Sequence, residues 1–358
     1  MTLSDYMHPA LDEEQKMLVD TVGDWARERL EPLAAAIDGE NTWSDGLLGE
    51  LAEMGLFGVS IPESAGGAGF GHVSYGLVLT ELAAILGGAA LHVWNQTSLV
   101  LGLLACEGSS RPELADVMSG SRQGALAHLG AAGSPRPEDL EVSVDENLVL
   151  NGVSRFVLDG ESANFVLVLA AEAAGRSVFL VPTDGKGVRV SSEGARMGMR
   201  PLGSARVEFE GVDLAEADRI GAPGGGDALL NSVLVEARAG LAMIGAGLAR
   251  RAHEESQRYA EERRQFGAPI ASFGAVEQRI ERCRSAFGTS LVLGTTALRS
   301  LDAGSPSVAA ADLAQATSAH LVMTAADDAL QVFGGYGFSK EYVVERIYRD
   351  ARYLGCAL

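Results

Sequence analysis

Residues 331–338 combine residue types that suit the close approach of a ligand to the backbone. They read QVFGGYGF, with three glycines and three aromatic residues among eight positions. A core helix would not tolerate this density of glycine, and a flexible linker would not carry these aromatic side chains. Taken alone, the pattern is more typical of a glycine cap at a helix end, followed by a turn. The alternative is a turn at which a bound group approaches the backbone between aromatic rings.

A second stretch, residues 258–281, contains a pair of arginines that could bind an anion. It reads RYAEERRQFGAPIASFGAVEQRIE and includes Arg263 and Arg264. A guanidinium forms charge-assisted hydrogen bonds with phosphate or carboxylate, although both arginines could equally be solvated at a helix end. The chain carries a net charge of -20, which argues against nucleic acid or an anionic membrane as a partner. An anionic small molecule remains compatible with this charge, because a few local arginines suffice to bind it.

The elements that must position these residues follow a three-part plan. Residues 1–121 show helical spacing of apolar residues, and residues 122–222 contain short alternating segments at roughly ten-residue spacing. Residues 223–358 contain long amphipathic patterns joined by short turns, which are typical of a helical bundle. The predicted fold class is α+β, with an N-terminal helical domain, a small central antiparallel β domain and a C-terminal helical bundle.

Cysteine usage and hydropathy predict the compartment. Cys106, Cys283 and Cys356 are odd in number and far apart, which fits free thiols in a reducing cytoplasm and offers no metal-ligand spacing. No apolar run approaches the roughly 20 residues that span a bilayer, and the N-terminus is polar and acidic. We therefore expect a cytoplasmic protein with no signal peptide, no membrane partner and no metal site.

The order of these elements and the two motifs resemble the acyl-CoA dehydrogenase family. The specific matches are residues 258–281 and 331–352, and the resemblance extends over nearly the whole chain. Two weaker matches are IPESAGGAGFG at 61–71 and LVLNGVSRFVLDG at 148–160. The resemblance implies FAD-dependent α,β-dehydrogenation of an acyl thioester, with electron-transfer flavoprotein as the electron acceptor. It also implies a tetramer in which each FAD lies across a subunit boundary.

The resemblance assigns the two motifs to the diphosphate end of a FAD that belongs to the neighbouring subunit. Arg263 would supply charge-assisted hydrogen bonds to that diphosphate. Glycine would let backbone N–H groups approach the phosphate oxygens. The cofactor-binding residues that the resemblance implies are Arg263, Gln265, Phe266, Gln331, Gly334 and Gly335.

The half of the site that would hold this subunit's own flavin ring departs from the family pattern. Residues 127–129, Ala-His-Leu, stand where the family usually has Thr-Glu-Pro, so the hydroxyl that bonds the ring is absent. Residues 156–158, Phe-Val-Leu, stand where the family has Trp-Ile-Thr. A phenyl ring partly replaces an indole for stacking, but Leu158 cannot replace a hydroxyl. His128 is interpreted as a surface or loop histidine rather than as a catalyst.

The two positions at which the family holds its catalytic base carry apolar residues. One is Leu358, and the other is Ala237 on the first helix of the C-terminal bundle. Glu236 is adjacent, but one step along a helix turns a side chain by about 100°, so Glu236 is interpreted as a solvated helix carboxylate. No catalytic residue is therefore predicted in this chain.

Three functional hypotheses follow. In the first, this chain is the non-catalytic subunit of an α2β2 acyl-CoA dehydrogenase and contributes the diphosphate end of the FAD site to a catalytic partner. In the second, it is a homotetrameric dehydrogenase of acyl-CoA or acyl-carrier-protein thioesters, with its base outside these 358 residues or recruited elsewhere. In the third, it is a flavin-free binding or scaffold protein on the same fold.

Overall fold

The computed structural model describes residues 11–105, 111–130 and 139–356. Helices, then strands, then helices follow one another along the chain, so the predicted α+β class is confirmed. Cys283 and Cys356 are free thiols, and burial raises the pKa of Cys283 to about 12. Cys106 and Leu358 lie outside the described residues.

The N-terminal part is a set of helices around a buried central one. The first helix begins at a capping box, in which Asp12 accepts the backbone N–H of Gln15 at 2.8 Å and the Gln15 side chain accepts that of Asp12. Gly71–Ile85 is buried from Val73 to its end, so it forms the centre of this part. The helices are α1 Glu13–Trp25, α2 Glu31–Glu40, α3 Leu47–Glu53, α4 Gly71–Ile85, α5 Gly87–Trp94, α6 Gly102–Ala105 and α7 Pro112–Met118, with π-helical segments at Ala26–Leu30 and Asn95–Leu101.

The central part is a mixed eight-stranded sheet. Its strands are β1 Gly124–Ala127, β2 Ser143–Val144, β3 Val149–Leu158, β4 Phe165–Glu172, β5 Gly175–Pro182, β6 Val188–Ser192, β7 Ser204–Asp213 and β8 Arg219–Ile220. The order is β6-β7-β3-β2-β4-β5-β8, with β1 on β4. Most pairs are antiparallel, as predicted, but β1 and β2 both run parallel to β4. Alternating hydropathy identifies strands without reporting their direction, so the sequence did not predict these parallel pairs.

The C-terminal part is a bundle of long helices. They are α8 Gly226–Glu262, α9 Gly274–Asp302, α10 Val308–Phe333 and α11 Val343–Leu354, and a small hairpin of β9 Arg264–Gln265 and β10 Ala268–Pro269 follows α8. By length and composition alone α8 is apolar enough to cross a membrane. However, 83% of its most apolar window is buried inside the protein, as in the core helix of a globular fold.

Helix α11 joins all three parts, and we call its contacts the α11 junction. The Arg349 guanidinium donates to both carboxylate oxygens of Asp38 on α2, at 2.9 and 2.5 Å, and to the backbone oxygen of Met197 at 2.9 Å. Asp350 accepts the backbone N–H of Met199. The junction therefore fixes the loop between β6 and β7 against both helical parts.

Candidate cofactor and ligand sites

An open groove of about 520 Å³, which we call the outer groove, brings the two predicted motifs together. Arg263 and Gln265 line one side, and Gly334, Gly335 and Tyr336 line the other. Arg263 caps α8, since its N–H donates to the backbone oxygen of Tyr259 at 2.8 Å. Four of the six predicted cofactor residues thus meet at one place, although they are about 70 positions apart along the chain.

Gly334 caps helix α10, so the interpretation of the glycine motif as a helix cap is confirmed. Its φ of 60° and ψ of -134° suit glycine, and its N–H bonds the backbone oxygens of Gln331 and Leu330. A Cβ added at Gly334 or Gly335 would meet no atom within 4 Å. The cap therefore leaves an open glycine surface on the groove, which a bulky anion can approach.

An aromatic cluster supports the groove. Tyr259 stacks on Phe333 with ring centroids 4.1 Å apart, and Tyr342 packs edge-on against both. The Arg263 guanidinium lies 5.7 Å from the ring centroid of Tyr336. In the described parts of the chain Arg263 forms no ion pair, so its charge is available to a ligand.

Two predicted cofactor residues lie outside the groove of a single chain. Gln331 is exposed on the last turn of α10 and is not among the lining residues. Phe266 is 96% exposed at the hairpin turn, with a φ of 53° and only an edge contact to Phe273 at 6.2 Å. Their contact with a neighbour's FAD remains a prediction, because it involves a surface that one subunit does not complete.

A second cavity, of about 440 Å³, lies between the N-terminal helices, the sheet and the end of α11; we call it the inner cavity. Four of the residues at the altered flavin-ring positions line it: His128, Leu129, Phe156 and Leu158. Ala127 and Val157 are each 1% exposed and belong to the core of the sheet. The altered positions therefore still form a cavity, but the described lining residues at these positions carry no hydroxyl.

Glu193 is the one carboxylate among the described lining residues, and its oxygens are engaged. It accepts the Arg155 Nε–H at 2.5 Å and the backbone N–H of Phe156 at 2.6 Å. Arg155 lies 4.7 Å over the Phe156 ring, which completes the arrangement. A carboxylate held in this way supports the cavity wall rather than acting as a free base. The sequence offers no spacing that would have identified Glu193.

Two buried polar side chains on the inner cavity have an atom with no hydrogen-bond partner: His128 at Nδ1 and Asn95 at Oδ1. Burial lowers the pKa of His128, and a hydrogen bond with the Leu126 backbone opposes this only in part, so the ring is neutral near pH 7. His128 lies in the loop that follows β1, in agreement with the interpretation of a surface or loop histidine, but its partly buried side chain also lines the inner cavity. Asn95 was not identified from the sequence.

The base position on α8 is a buried alanine whose backbone is hydrogen-bonded to a neighbouring side chain. Ala237 is fully buried, and its backbone oxygen accepts the Trp94 indole N–H at 2.7 Å. Glu236 is not the solvated carboxylate that the sequence suggested, since its side chain is 12% exposed. Its oxygens bind the His72 ring Nδ1 and the Ser98 hydroxyl. These contacts turn Glu236 toward α4 and the π-helical segment.

Comparison with known proteins covers each part of the chain. The N-terminal, middle and C-terminal domain models of acyl-CoA dehydrogenase match residues 12–111, 133–212 and 224–357. Benzylmalonyl-CoA dehydrogenase of Aromatoleum aromaticum is 30% identical over 96% of this chain and 93% of its own length. The chain belongs to the acyl-CoA dehydrogenase family. Human mitochondrial short-chain specific acyl-CoA dehydrogenase is 27% identical, with 97% of this chain and 87% of the relative covered.

Solved structures of this family have the same fold. Glutaryl-CoA dehydrogenase of Mycobacterium smegmatis superimposes with a TM-score of 0.92 at 26% identity, over 98% of this chain and 92% of that one. A chain in the structure of the electron transferring flavoprotein of Acidaminococcus fermentans gives a TM-score of 0.91 at 26% identity, covering 96% and 93%. The family assignment gives FAD as the cofactor.

The two sites differ in how well they fit parts of this cofactor. The outer groove offers Arg263 and an open glycine surface, which suit a diphosphate. The inner cavity offers apolar walls and the phenyl ring of Phe156 for stacking, but Leu158 replaces the expected hydroxyl. The residues present therefore fit the diphosphate end of FAD better than the flavin ring.

Proposed function

We propose that this chain is the non-catalytic subunit of a heterotetrameric, FAD-dependent acyl-CoA dehydrogenase. It contributes the diphosphate end of a FAD site to a catalytic partner from the same family. When bound in that complex, FAD would supply the hydride acceptor for dehydrogenation of the acyl thioester. Arg263, Gly334 and Gly335 of this chain bind and orient the cofactor without touching the reacting carbons.

The observation that carries this proposal is the contrast between the two sites. The outer groove retains Arg263, which forms no ion pair in the described residues, beside glycine backbone. The position for a base on α8 is an alanine whose backbone oxygen accepts the Trp94 indole N–H, and the oxygens of Glu193 at the inner cavity are engaged. General-base catalysis contributes about 10²–10⁴-fold, so a chain whose described residues place no free base at these positions would depend on another chain for the reaction.

The remaining parts of the proposal follow from the family. The substrate is an acyl thioester of coenzyme A or acyl-carrier protein, and electron-transfer flavoprotein is the electron acceptor. We place the complex in the cytoplasm, in keeping with the free thiols of Cys283 and Cys356.

A homotetrameric dehydrogenase is the second candidate, and the persistence of the inner cavity favours it. A subunit that never holds a ligand of its own has no need for a 440 Å³ space lined by Trp94, Phe156 and Leu158. In this case the base would come from outside the described residues.

Co-expression with any acyl-CoA dehydrogenase family member encoded beside this chain distinguishes the candidates. We expect a complex with two copies of each chain, FAD bound only in the complex, and acyl-CoA-dependent flavin reduction there alone. A homotetramer that purifies yellow and is bleached anaerobically by an acyl-CoA would establish the second candidate. Colourless protein that forms no complex and binds no added FAD would favour a flavin-free scaffold.

A further inference from the structure

The inner cavity is lined by Asn95, whose side-chain amide is oriented by a buried carboxyl group. Asn95 begins the π-helical segment Asn95–Leu101 and is fully buried on the cavity wall. Its amide Nδ2 donates to Asp159 Oδ2 at 3.4 Å, while Oδ1 has no hydrogen-bond partner. Segments of π-helix occur frequently at functional sites, because the local widening re-aims side chains.

Asp159 determines which atom of the Asn95 amide lacks a hydrogen-bond partner. A carboxylate oxygen accepts hydrogen bonds, so it holds the amide nitrogen and leaves the amide oxygen for another group. The same Asp159 Oδ2 receives the ring Nδ1–H of His92 at 2.7 Å. Trp43 and Phe57 pack edge-on against the His92 ring, with centroids 5.4 and 5.6 Å away.

This chain of contacts is rigid because all three polar residues are buried. His92 and Asn95 are 0% exposed and Asp159 is 1% exposed. Leaving a buried acceptor unsatisfied costs about 1–3 kcal/mol, so a ligand that satisfies Asn95 Oδ1 recovers that free energy. The unpaired atom therefore indicates a ligand with a matching donor.

The surroundings of Asn95 define the rest of that ligand. Trp94, Leu99 and Leu126 line the cavity with it, so the body of the ligand is hydrocarbon or aromatic. Trp94 donates to the backbone oxygen of Ala237, the position at which the family resemblance implies a base that acts on the acyl group. Phe156 and Leu158 occupy the flavin-ring positions. Asn95, adjacent to Trp94, is thus assigned to the acyl end of the cavity.

We propose that Asn95 is a specificity residue that accepts a hydrogen bond from a hydroxyl or amide N–H on the acyl group of an acyl thioester. Asp159 and His92 act as positioning residues, since they hold the Asn95 amide without contacting the ligand. This assignment holds whether the chain is a non-catalytic subunit or a homotetrameric dehydrogenase, because it concerns binding and not turnover.

The experiment is equilibrium binding of matched acyl-CoA pairs to the purified, FAD-saturated assembly that contains this chain. Each pair consists of an ω-hydroxyacyl-CoA, from three to six carbons, and the acyl-CoA with a methyl in place of the hydroxyl. At one chain length we expect the hydroxyl compound to bind about 5- to 30-fold more tightly. Asn95→Leu should abolish this preference and leave the affinity for the methyl compound within about twofold.

Two further variants make the test independent of the folding of Asn95→Leu. Asp159→Asn should reduce the preference as well, because the orientation of the Asn95 amide is then no longer fixed. Leu99→Met, which conserves volume on the same wall, should keep it. A purely structural role for Asp159 would lower binding of both members of a pair and leave their ratio unchanged.

Several results would overturn the proposal. They are equal binding of both members at every chain length, an undiminished preference in Asn95→Leu, and failure of the native assembly to bind any probe. If Asn95→Leu lost FAD but kept the same ratio of affinities for the hydroxyl and methyl compounds, Asn95 would instead lie against the flavin ring. Failure of the heterotetramer to form would contradict the proposed function but would leave the ratio test intact.

Discussion

The indole N–H of Trp94 donates a 2.7 Å hydrogen bond to the backbone oxygen of Ala237, across 143 positions of the sequence. Gly240, one turn further along α8, lets this ring approach, because a Cβ there would lie 2.7 Å from the Trp94 ring. Trp94 thus packs against α8 beside Ala237, one of the two positions at which the family resemblance implies a catalytic base. The buried position of Ala237 therefore suits a small side chain and not a carboxylate.

Restoring a carboxylate at this position should fail to restore a base. We expect Ala237→Glu to lower the free energy of unfolding by about 3 kcal/mol or more, because it buries a charge beside the Trp94 ring. Acyl-CoA should not bleach bound FAD in this variant. Urea unfolding and anaerobic spectra measure the two effects, and Asn231→Glu on the exposed face of α8 is the control. A stable, bleachable Ala237→Glu protein would contradict this account of the cavity.

Removing the charge on the outer groove should weaken FAD binding without unfolding the subunit. Arg263→Ala removes a charge-assisted hydrogen bond to the diphosphate, which corresponds to about 10- to 150-fold in FAD affinity of the assembled complex. Arg264→Ala is the matched control, because Arg264 is exposed in the hairpin and does not line the groove. Flavin absorbance of the purified complexes measures their FAD content. Equal FAD content in both variants would refute the diphosphate assignment.

The adjacent glycines should respond differently to the same substitution. Gly334→Ala should cost about 1–3 kcal/mol of stability, since its positive φ is strained for alanine. Gly335→Ala should leave stability unchanged to within about 0.5 kcal/mol, because the added methyl meets no atom of the chain within 4 Å. Its methyl should nevertheless lower FAD retention by crowding the diphosphate. Thermal melts and FAD content together test this pair, and full FAD retention in Gly335→Ala would place the cofactor elsewhere.

The pair formed by His72 and Glu236 should make stability depend on pH. Burial lowers the pKa of His72, but the hydrogen bond to Glu236 and the charges of Glu236 and Asp302 outweigh it, so the pKa is raised above 6.5. The stabilisation is therefore complete below pH 6.5 and is lost as the pH rises through the folded-state pKa. Glu236→Gln should cost about 1–2 kcal/mol at pH 6 and less at pH 8.5.

Denaturant unfolding at the two pH values measures this difference. Glu262→Gln, an exposed carboxylate on the same helix, should show no such change. A penalty for Glu236→Gln that is equal at both pH values would mean that His72 is not charged in the folded protein.

The grouping of residues at the outer groove was implied by the family resemblance, which two local motifs carry. Glycine at a helix end and arginine before a turn carry their physical role in their immediate neighbours, as Gly334 and Arg263 show. The inner cavity was not predictable in the same way. Its Asn95 and Asp159 are 64 positions apart, and Glu193 is 37 positions from Phe156. Spacing along the chain carries no signal for such contacts, just as it did not reveal the parallel pairing of β1 with β4.

The α11 junction has a consequence for how the chain folds. The loop between β6 and β7 is bonded to both ends of the polypeptide. Arg349 and Asp350 bond Met197 and Met199, and Arg200 donates to the backbone oxygen of Asp38 at 3.3 Å. A fragment limited to the strands would lack these partners and would leave backbone donors unsatisfied. The three parts should therefore unfold as one cooperative unit, in a single transition by far-UV circular dichroism and tryptophan fluorescence alike. Autonomous folding of an isolated 122–222 fragment would show that the junction is dispensable.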